Sequence, residues 1–447
     1  MKKLVALLLA AMMLTVSFAM AEAPEGYPEI VPGMDFGGAT VTIYDYWGGN
    51  DRVAEPTEEQ QARYDYEDWL METYNVVIKQ TQGGDWNTCA EEMINFVSAP
   101  DGSYRAYIIE AGKVGTLVAN GIAAPITTYD VSGEEWNQAN IAMWAKGGVP
   151  YGLSKGEQEP RICLFFNKRI LEEAGIDWNT IYDMQAEGTW TWAALEELMD
   201  KVQRDLDNDG VIDIYGMTGD HNNLHTIAVA VGGGAYFAYD EDGKLQPAMG
   251  SEATINALNW SRNTLLTYFY RQPADGNWDY FKEAWKTGIA GFYVNQTYAG
   301  FNDNSEMADM EDEWGCVAFP VPNAGDKYLT NISENTYLIP NIYSADEVGK
   351  IAFIIDMWTK PTPGYDDEFG WIGNKYNYTD DRAVDETYAM LRKGEHGWAN
   401  LTFLLGTEND VLGQSLIWVL GGESTPAQLV EAGMPAWQAL CDAFNAK

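Results

Sequence analysis

The sequence is poor in the residues on which metal and nucleophilic catalysis depend. It contains three histidines in 447 residues. Two of them, His221 and His225, have the spacing of a zinc-protease helix, but the glutamate that serves as general base in that motif is absent between them. The sequence has no phosphate-binding GxxxxGKS loop and no local Cys/His signature. These absences argue against metal catalysis, against phosphate-loop nucleotide binding and against a cysteine nucleophile.

Cysteine is equally scarce. The four cysteines stand far apart and form no CxxC pair, so a zinc site is not predicted. In an exported protein such thiols can join, but their spacing alone does not say which would pair. Two of them lie in apolar, strand-like segments, which favours buried free thiols over disulfides. The four are Cys89, Cys163, Cys316 and Cys441.

Basic residues are few. Lysine and arginine total 27 against 67 aspartates and glutamates, so the formal net charge is −40. A strong negative field repels nucleic acid and anionic lipid surfaces. It also argues against an anionic ligand, although a local basic pocket would override it. Solubility outside the cell explains most of this charge.

Long hydrophobic runs are absent after the first residues of the chain. An apolar run, Leu4–Phe18, follows two lysines and leads to the small-residue triplet Ala19-Met20-Ala21, which is the pattern of a cleaved secretory signal. The rival interpretation is an N-terminal membrane anchor, but the run is short for a bilayer span. We therefore predict a signal peptide at residues 1–21 and a periplasmic, extracellular or cell-surface location. No cysteine follows the run, which leaves open how the protein would stay near a membrane.

The remaining length favours two domains. Removing 21 residues from 447 leaves 426, which suits two domains of about 200 residues each. Segments with strand and helix periodicity alternate from residue 39 onwards: 39–46 alternates as a strand, about 57–74 reads as a helix, and a further strand starts at Ala106. This alternation predicts an α/β fold with a largely parallel sheet.

Aromatic residues, by contrast, are abundant, with 17 Trp, 26 Tyr and 15 Phe. Aromatic faces stack on the C–H faces of pyranose rings, and carboxylates and amides bind sugar hydroxyls. Most of these rings belong to the core, and only a few are needed to contact a ligand. An acidic, aromatic-rich exported protein therefore suits neutral carbohydrate.

Several segments, taken in order, resemble the extracellular solute-binding proteins of ABC importers, specifically the maltose-binding-protein-like group that binds sugars and oligosaccharides. The strand–Asn-Lys–helix segment ICLFFNKRILEEAGI and the Thr-Trp-capped helix GTWTWAALEELMDKV carry this resemblance most clearly. The order of these segments spans most of the mature chain. The matching segments are 117–127, 162–176, 188–202, 281–295, 317–325 and 424–440.

The resemblance implies a type II periplasmic-binding-protein fold, in which two α/β lobes joined by hinge segments hold the ligand in the cleft between them. The N-terminal lobe would contain residues 22–160 plus about 300–340. The C-terminal lobe would contain about 161–299 plus 341–447. The chain would cross between lobes near Pro160, Gly300 and Pro340, and hinge motion would close the lobes on the ligand.

Candidate ligand-binding residues come from two arguments. Ligands of open α/β sheets meet the carboxyl ends of the strands, which selects Trp47, Asn50 and Trp86, although a tight turn with a half-buried Trp explains the first two equally well. The other candidates are places where the resembled family puts crossover loops, polar contacts and stacking aromatics, or aromatics in glycine-rich loops. They are Tyr151, Asp220, Asn222, Asn295, Tyr298, Glu334, Asn335 and Trp371.

An acidic loop has the oxygen ligands of the first part of an EF-hand-type calcium site. Asp205, Asp207, Asp209 and Asp213 supply them, but Gly216 stands where the bidentate glutamate is expected. The alternative is an acidic helix-to-strand turn, which we favour. No cofactor is predicted apart from this weak, structural calcium.

The expected function is the substrate-binding subunit of an ABC importer, which captures a neutral sugar or oligosaccharide and delivers it to a membrane permease. A monomer without nucleic-acid partners and without enzyme activity is expected. Two alternatives stay open: a secreted glycoside hydrolase, whose carboxylate pair any chain this acidic can supply, and the same fold binding a peptide or polyamine.

Overall fold

The computed structural model describes residues 22–274, 276–300, 307, 310–365, 380–413, 416, 420–422 and 424–446. The predicted signal peptide, residues 1–21, lies outside them. The strands are, in chain order, β1 (Ala39–Asp45), β2 (Val76–Gln82), β3 (Tyr104–Ile109), β4 (Gly152–Leu153), β5 (Ile162–Asn167), β6 (Tyr215–Gly219), β7 (Phe237–Tyr239), β8 (Leu245–Pro247), β9 (Ala290–Gln296), β10 (Trp314–Val317), β11 (Thr330–Ile332), β12 (Thr336–Leu338) and β13 (Gly397–Ala399).

The helices alternate with these strands. In chain order they are α1 (Glu58–Tyr74), α2 (Cys89–Ser98), α3 (Ala111–Ala119), α4 (Gln138–Met143), α5 (Lys168–Glu173), α6 (Asn179–Glu187), α7 (Trp192–Val202), α8 (His221–Val231), α9 (Glu252–Tyr268), α10 (Tyr280–Lys286), α11 (Ala345–Trp358), α12 (Ala389–Leu391), α13 (Glu408–Leu412) and α14 (Pro426–Asn445). A π-helix covers Ala383–Tyr388, and 3₁₀ turns cover Thr297–Gly300, Gly394–His396 and Leu401–Leu404.

Side-chain caps determine where the long helices begin. At α1 the Thr57 hydroxyl accepts the Gln60 backbone N–H while the Gln60 side chain accepts the Thr57 N–H. Ser344 and Glu347 form the same reciprocal box at α11. Such boxes satisfy backbone donors that a helix start leaves without an intrahelical partner. They therefore fix the loops that enter both helices.

The first sheet has the strand order β2-β1-β3-β12-β4. β1 runs parallel to β2 and β3, while β12 runs antiparallel to β3 and β4. The carboxyl ends of β1 to β4 therefore share one edge with the amino end of β12.

The second sheet has the order β10-β5-β9-β6. β6 and β9 are parallel, and β5 runs antiparallel to β9 and β10. All six residues of β5 are buried, as expected for an apolar strand covered on both faces. The predicted α/β fold is confirmed, with antiparallel strands added to the parallel ones.

The two sheets lie in two hydrophobic cores, and their composition corrects the predicted lobe boundaries. β10 was expected in the N-terminal lobe with the rest of about 300–340, but it pairs with β5 of the second sheet. α11 was expected in the C-terminal lobe with 341–447, but Ile351 belongs to the core of the first sheet. α14 packs on β8 and α9, which lie in the expected C-terminal lobe. Long-range pairing decides these assignments, which segment order alone does not reveal.

The connections between the sheets are likewise only partly as expected. The connection containing Pro160 does link the two sheets, since it runs from β4 to β5. A crossover near Gly300 is wrong, because β9 and β10 on either side of it lie in the same sheet. The return to the first sheet occurs between β10 and β12, ahead of Pro340 rather than at it.

The C-terminal part of the chain closes against the first core. β13 pairs in parallel with β11, and the 3₁₀ turn that follows β13 packs on α3. A Cβ atom added at Gly115 of α3 would lie 2.3 Å from the Phe403 carbonyl oxygen, so the two backbones touch there. In the described part of the chain, no helix combines the length and apolar character that a bilayer span requires.

Candidate ligand-binding cleft

The connectivity brings the carboxyl edges of the two sheets together. The chain leaves β4 at the carboxyl edge of the first sheet and enters β5 within eight residues, 154–161. The first residue of β5, Ile162, pairs with Gln296 at the end of β9. The ends of β6 and β9 therefore face the ends of β1, β2 and β3 across this short connection. The strand-end rule places a ligand between these edges.

On the first sheet, Tyr46 organises two predicted residues. Its hydroxyl donates a 2.5 Å hydrogen bond to Asn335 Oδ1, and its ring packs 5.1 Å from the ring of Trp47. Tyr46 itself is buried, and burial raises its pKa, with the charges of Glu110 and Arg161 also acting on the hydroxyl. Trp47 is 70% exposed. Sequence reasoning missed Tyr46, although it directly precedes the predicted aromatic.

Trp86 stands at the end of the neighbouring strand and is 48% exposed. The Lys113 ammonium lies 4.0 Å from its ring centroid and 3.4 Å from Glu110 Oε2. Local geometry requires glycine at both positions before Trp86. A Cβ at Gly83 would lie 2.6 Å from the Tyr44 ring, and Gly84 adopts a left-handed backbone conformation with φ +73°. The turn therefore holds the Trp86 ring at the rim of the sheet.

Asn50 does not lie with Trp47, Trp86 and Asn335. After Trp47 the chain turns back along β2, where the Asn50 N–H donates to the Gln80 carbonyl. Its side-chain amide donates to Glu67 Oε1 of α1 at 2.8 Å. Both Asn50 contacts hold the flank of the first sheet, so the turn interpretation of this residue fits the structure better.

On the second sheet, the predicted asparagine of β9 is committed to internal bonds. Asn295 is buried, its Oδ1 accepts from the Asn223 amide at 3.2 Å, and its own amide donates to the Tyr293 hydroxyl. It therefore supports the cleft floor. Tyr298, on the 3₁₀ turn after β9, is 46% exposed and reaches the surface of the same edge.

Asp220 caps α8 at the end of β6. Its Oδ1 accepts the Asn222 backbone N–H at 2.9 Å. Burial raises the Asp220 pKa to about 6, against the lowering effect of that hydrogen bond. The neighbouring His221 has its pKa lowered to about 4, again by burial, and is neutral at physiological pH. Asn222 is half-buried beside them.

Glu334 lies where the connections between the two sheets meet. Its Oε1 accepts the Glu159 backbone N–H at 2.9 Å, so it ties the connection before β12 to the connection before β5. Burial raises its pKa to about 7, opposed by the positive charge of Arg161. Thr330 adds a second tie, since its hydroxyl accepts the backbone N–H groups of Arg161 and Ile162. Arg161 was not predicted, because its position beside Glu334 depends on this crossing.

Two further predicted residues, Tyr151 and Trp371, are not placed at the carboxyl edges by the described structure. Tyr151 is half-buried and packs against the first core, which fits the hinge-packing alternative. Trp371 lies outside the described residues.

The exposed tryptophans of the described chain are Trp47, Trp86 and Trp278, and each follows or precedes an element at a carboxyl edge. Trp278 is 46% exposed and directly precedes α10, the helix that comes before β9 in the chain. It was missed, although its Gly276-Asn277 setting is as rich in turn residues as that of Trp86.

The acidic loop is held by its own side chains. Carboxylate oxygens of Asp205, Asp207 and Asp209 lie within 4.8 Å of one another. Asp205 accepts the backbone N–H groups of Asn208 and Gly210, and Asp213 accepts that of Leu206. These bonds make the acidic turn self-sufficient, and calcium binding stays a prediction. The four cysteines, as expected of Cys163 and Cys316, are buried free thiols.

Comparison with known proteins identifies the architecture. The model of the family "Bacterial extracellular solute-binding protein" matches residues 54–411. No curated protein matches the sequence significantly. Solved structures do match over nearly the whole chain.

A cyclic α-maltosyl-1,6-maltose binding protein from Arthrobacter globiformis has a TM-score of 0.62 at 16% identity, covering 91% of this chain and 99% of its own. A cyclo/maltodextrin-binding protein complexed with maltotetraose has a TM-score of 0.63 at 14% identity, covering 90% and 96%. UgpB from Mycobacterium tuberculosis, in complex with glycerophosphocholine, has a TM-score of 0.57 at 14% identity, covering 90% and 98%. At these identities the likeness establishes the fold.

Proposed function

The chain belongs to the family of bacterial extracellular solute-binding proteins, and we propose that it captures a neutral sugar or oligosaccharide between its two lobes for delivery to an ABC permease. The fold alone does not choose the ligand, since its structural neighbours include proteins named for maltodextrins and one solved with glycerophosphocholine. The side chains at the carboxyl edges support a saccharide.

The observation that carries the proposal is the position of the exposed tryptophans. Trp47, Trp86 and Trp278 are exposed, whereas the other described tryptophans are buried or half-buried. Large exposed aromatics are unfavourable in water unless a partner covers them. All three occur at the edges where ligands of this fold class bind. Flat indole faces at this place suit the C–H faces of pyranose rings.

Polar groups beside these rings suit the hydroxyls of the same ligand. Asn335, which is held by Tyr46, offers an amide, and Glu110 and Asp220 offer carboxylates. A mixture of aromatic faces with a few fixed polar groups is typical of small-molecule sites. This composition supports a saccharide over a peptide, whose backbone requires a strand edge or an extended groove.

A ligand held by both edges also explains the architecture. Contacts with Trp47 on one lobe and Trp278 on the other are possible together only when the edges approach, so the ligand stabilises the closed arrangement. Glu334 and Thr330 accept hydrogen bonds from the connection before β5. These bonds would hold the connecting segments together while each lobe rotates. Closure would give the permease a shape that the unliganded protein lacks.

The test is thermal unfolding of the mature chain against mono- and oligosaccharides, with peptides and polyamines as controls. A ligand that binds the folded state raises Tm with its concentration. The W47A and W86A variants are expected to lose most of that rise. Y239A is the matched control, because Tyr239 is 51% exposed on the β7–β8 hairpin. A rise with polyamines alone, or equal rises in all variants, would contradict the saccharide assignment.

The same samples separate binding from hydrolysis. A binding protein returns its saccharide unchanged after prolonged incubation, whereas a glycoside hydrolase releases shorter products or a reducing end. We expect unchanged ligand by chromatography at equimolar protein after a day.

A further inference from the structure

A lysine of α3 covers one face of the exposed Trp86 ring. The Lys113 ammonium lies over the indole, 4.0 Å from its centroid, and it also donates a hydrogen bond to the Trp86 backbone carbonyl. A cation at this distance is attracted to the face of the ring. Lys113 therefore holds both the ring and the backbone of Trp86, while the residue remains 48% exposed.

The start of α3 fixes the position of Lys113. This helix begins directly after β3, at the carboxyl edge of the first sheet. Glu110 caps it, since its Oε1 accepts the Gly112 N–H at 2.9 Å, and its Oε2 lies 3.4 Å from the Lys113 ammonium. The side chains of Glu110 and Lys113 are only 15% and 18% exposed, so salt screens this ion pair less than it screens a surface pair. The ammonium is thus anchored between a carboxylate and an indole.

The turn that carries Trp86 is fixed as well. The carboxylate of Asp85 accepts the backbone N–H groups of Asn87 and Thr88 at 2.8 and 3.0 Å. The Cys89 thiol, at the start of α2, lies 3.8 Å from the Trp86 carbonyl. These contacts fix the backbone, and the contact with Lys113 fixes the orientation of the ring.

A cation over one face of an indole changes what the opposite face binds. Lys113 already uses the negative charge of the ring face, and its own charge repels a second cation that approaches from the other side. A neutral sugar ring meets no such repulsion and still gains dispersion contact with the flat indole. The effect matters in a chain of net charge −40, whose field attracts cations to the surface.

We propose that Lys113 is a specificity-determining residue of the saccharide site, which holds the Trp86 ring for a neutral sugar and excludes cationic ligands from it. A repulsive element of this kind is a general means of rejecting a competing ligand. The inference rests on the proposed function, because Trp86 is one of the rings that would contact the sugar. It goes beyond that function by assigning the rejection of polyamines to one side chain.

The experiment is isothermal titration calorimetry of the full mature chain and of K113M, which removes the charge and keeps an unbranched side chain. The neutral probes are maltotetraose, cellotetraose and xylotetraose, and the cationic probe is spermidine. We expect K113M to bind the best neutral probe about fivefold more weakly, because a ring that is no longer held has to be ordered on binding. We expect it to bind spermidine at least about threefold more tightly, because a nearby positive charge is gone.

Three further variants separate this role from a purely structural one. K201M removes a positive charge from an exposed position on α7 and should change neither affinity. K113R keeps the charge and should keep the weak binding of spermidine. In a W86A background, K113M should not weaken saccharide binding further, because Lys113 acts on the sugar through that ring.

A readout without ligand complements these titrations. Oxidation of Trp86 should be faster in K113M than in the wild type, with Trp47 unchanged, because the substitution uncovers one face of the ring.

The outcomes distinguish the two proposals. Unchanged affinity of K113M for the saccharide or for spermidine would overturn the assignment of Lys113, while saccharide binding by the wild type upheld the proposed function. A loss of saccharide affinity as large in the W86A background as in the wild type would overturn it too. If the wild type binds none of the neutral probes and does bind spermidine, the proposed function fails and this inference fails with it.

Discussion

The Tyr46 hydroxyl donates to Asn335 Oδ1 and so joins the end of β1 to the start of β12. Neither residue is near the other in sequence, yet the contact fixes the amide beside the exposed ring of Trp47. A buried tyrosine at this edge of the first sheet therefore contacts both Trp47 and Asn335, the pair that we propose to face the ligand.

Replacing this tyrosine with phenylalanine tests that role. Y46F keeps the packing against Trp47 but leaves the Asn335 carbonyl without its donor. We expect stability to fall by about 1 kcal/mol and saccharide affinity to fall about tenfold. Calorimetric titration beside a denaturant unfolding curve separates the two effects. Unchanged affinity in Y46F would show that Asn335 does not depend on Tyr46 for its position.

Thr330 is expected to hold the connections between the lobes. T330V removes the hydroxyl oxygen that accepts from Arg161 and Ile162, and leaves two buried N–H groups without this acceptor. The unfolding free energy should fall by about 2 kcal/mol. T330S, which keeps the oxygen, is the matched control and should lose less than about half of that. Equal losses in both variants would mean that the methyl packing matters, and not the hydrogen bonds.

Glu334 makes stability depend on pH. Its pKa is raised from 4.5 to about 7, so its contribution is fully present below pH 4.5 and is lost as pH rises through about 7. E334Q removes this dependence and can still accept the Glu159 N–H. We expect the variant to match the wild type near pH 4 and to be more stable by about 2 kcal/mol at pH 8. The measurement is Tm against pH for both proteins, and parallel curves would contradict the raised pKa.

Gly115 of α3 is where the C-terminal segment touches the first lobe. Helix propensity alone predicts that G115A would gain about 1 kcal/mol. The new Cβ would instead lie 2.3 Å from the Phe403 carbonyl oxygen and 2.7 Å from the Leu404 Cα, so we expect a loss of about 3 kcal/mol. T116A, at an exposed position of the same helix, is the control and should change stability little. A stabilised G115A would show that the C-terminal segment can move away from α3.

Sequence reasoning predicted the local elements well, because periodicity and turn chemistry are local. The position of Trp47 and Trp86 follows from strand ends and glycine turns alone. The predicted lobes of β10 and α11 were wrong because they depend on long-range contacts. β10 pairs with a strand about 150 residues away, as Cys316 does with Phe165, and α11 packs into the core of the first sheet. The position of Asn50 on the flank of the first sheet could not be predicted for a related reason, since only tertiary packing brings Glu67 to its amide.

Other site residues had no readable signal. Arg161 gains its importance from its place beside Glu334, where two connections cross. The burial that raises the pKa values of Asp220 and Glu334 is also a tertiary property. Composition shows that the chain has many carboxylates, but it does not show which of them have raised pKa values.

The most direct test of the account is residue-resolved oxidation of the tryptophans. The protein is oxidised briefly with and without a saturating amount of the saccharide that raises Tm most, and mass spectrometry gives the rate at each indole. Slower oxidation of Trp47 and Trp86, with no change at the half-buried Trp69 of α1, is the predicted result. Equal rates at Trp47 and Trp86 with and without bound saccharide would contradict a sugar site at the carboxyl edge.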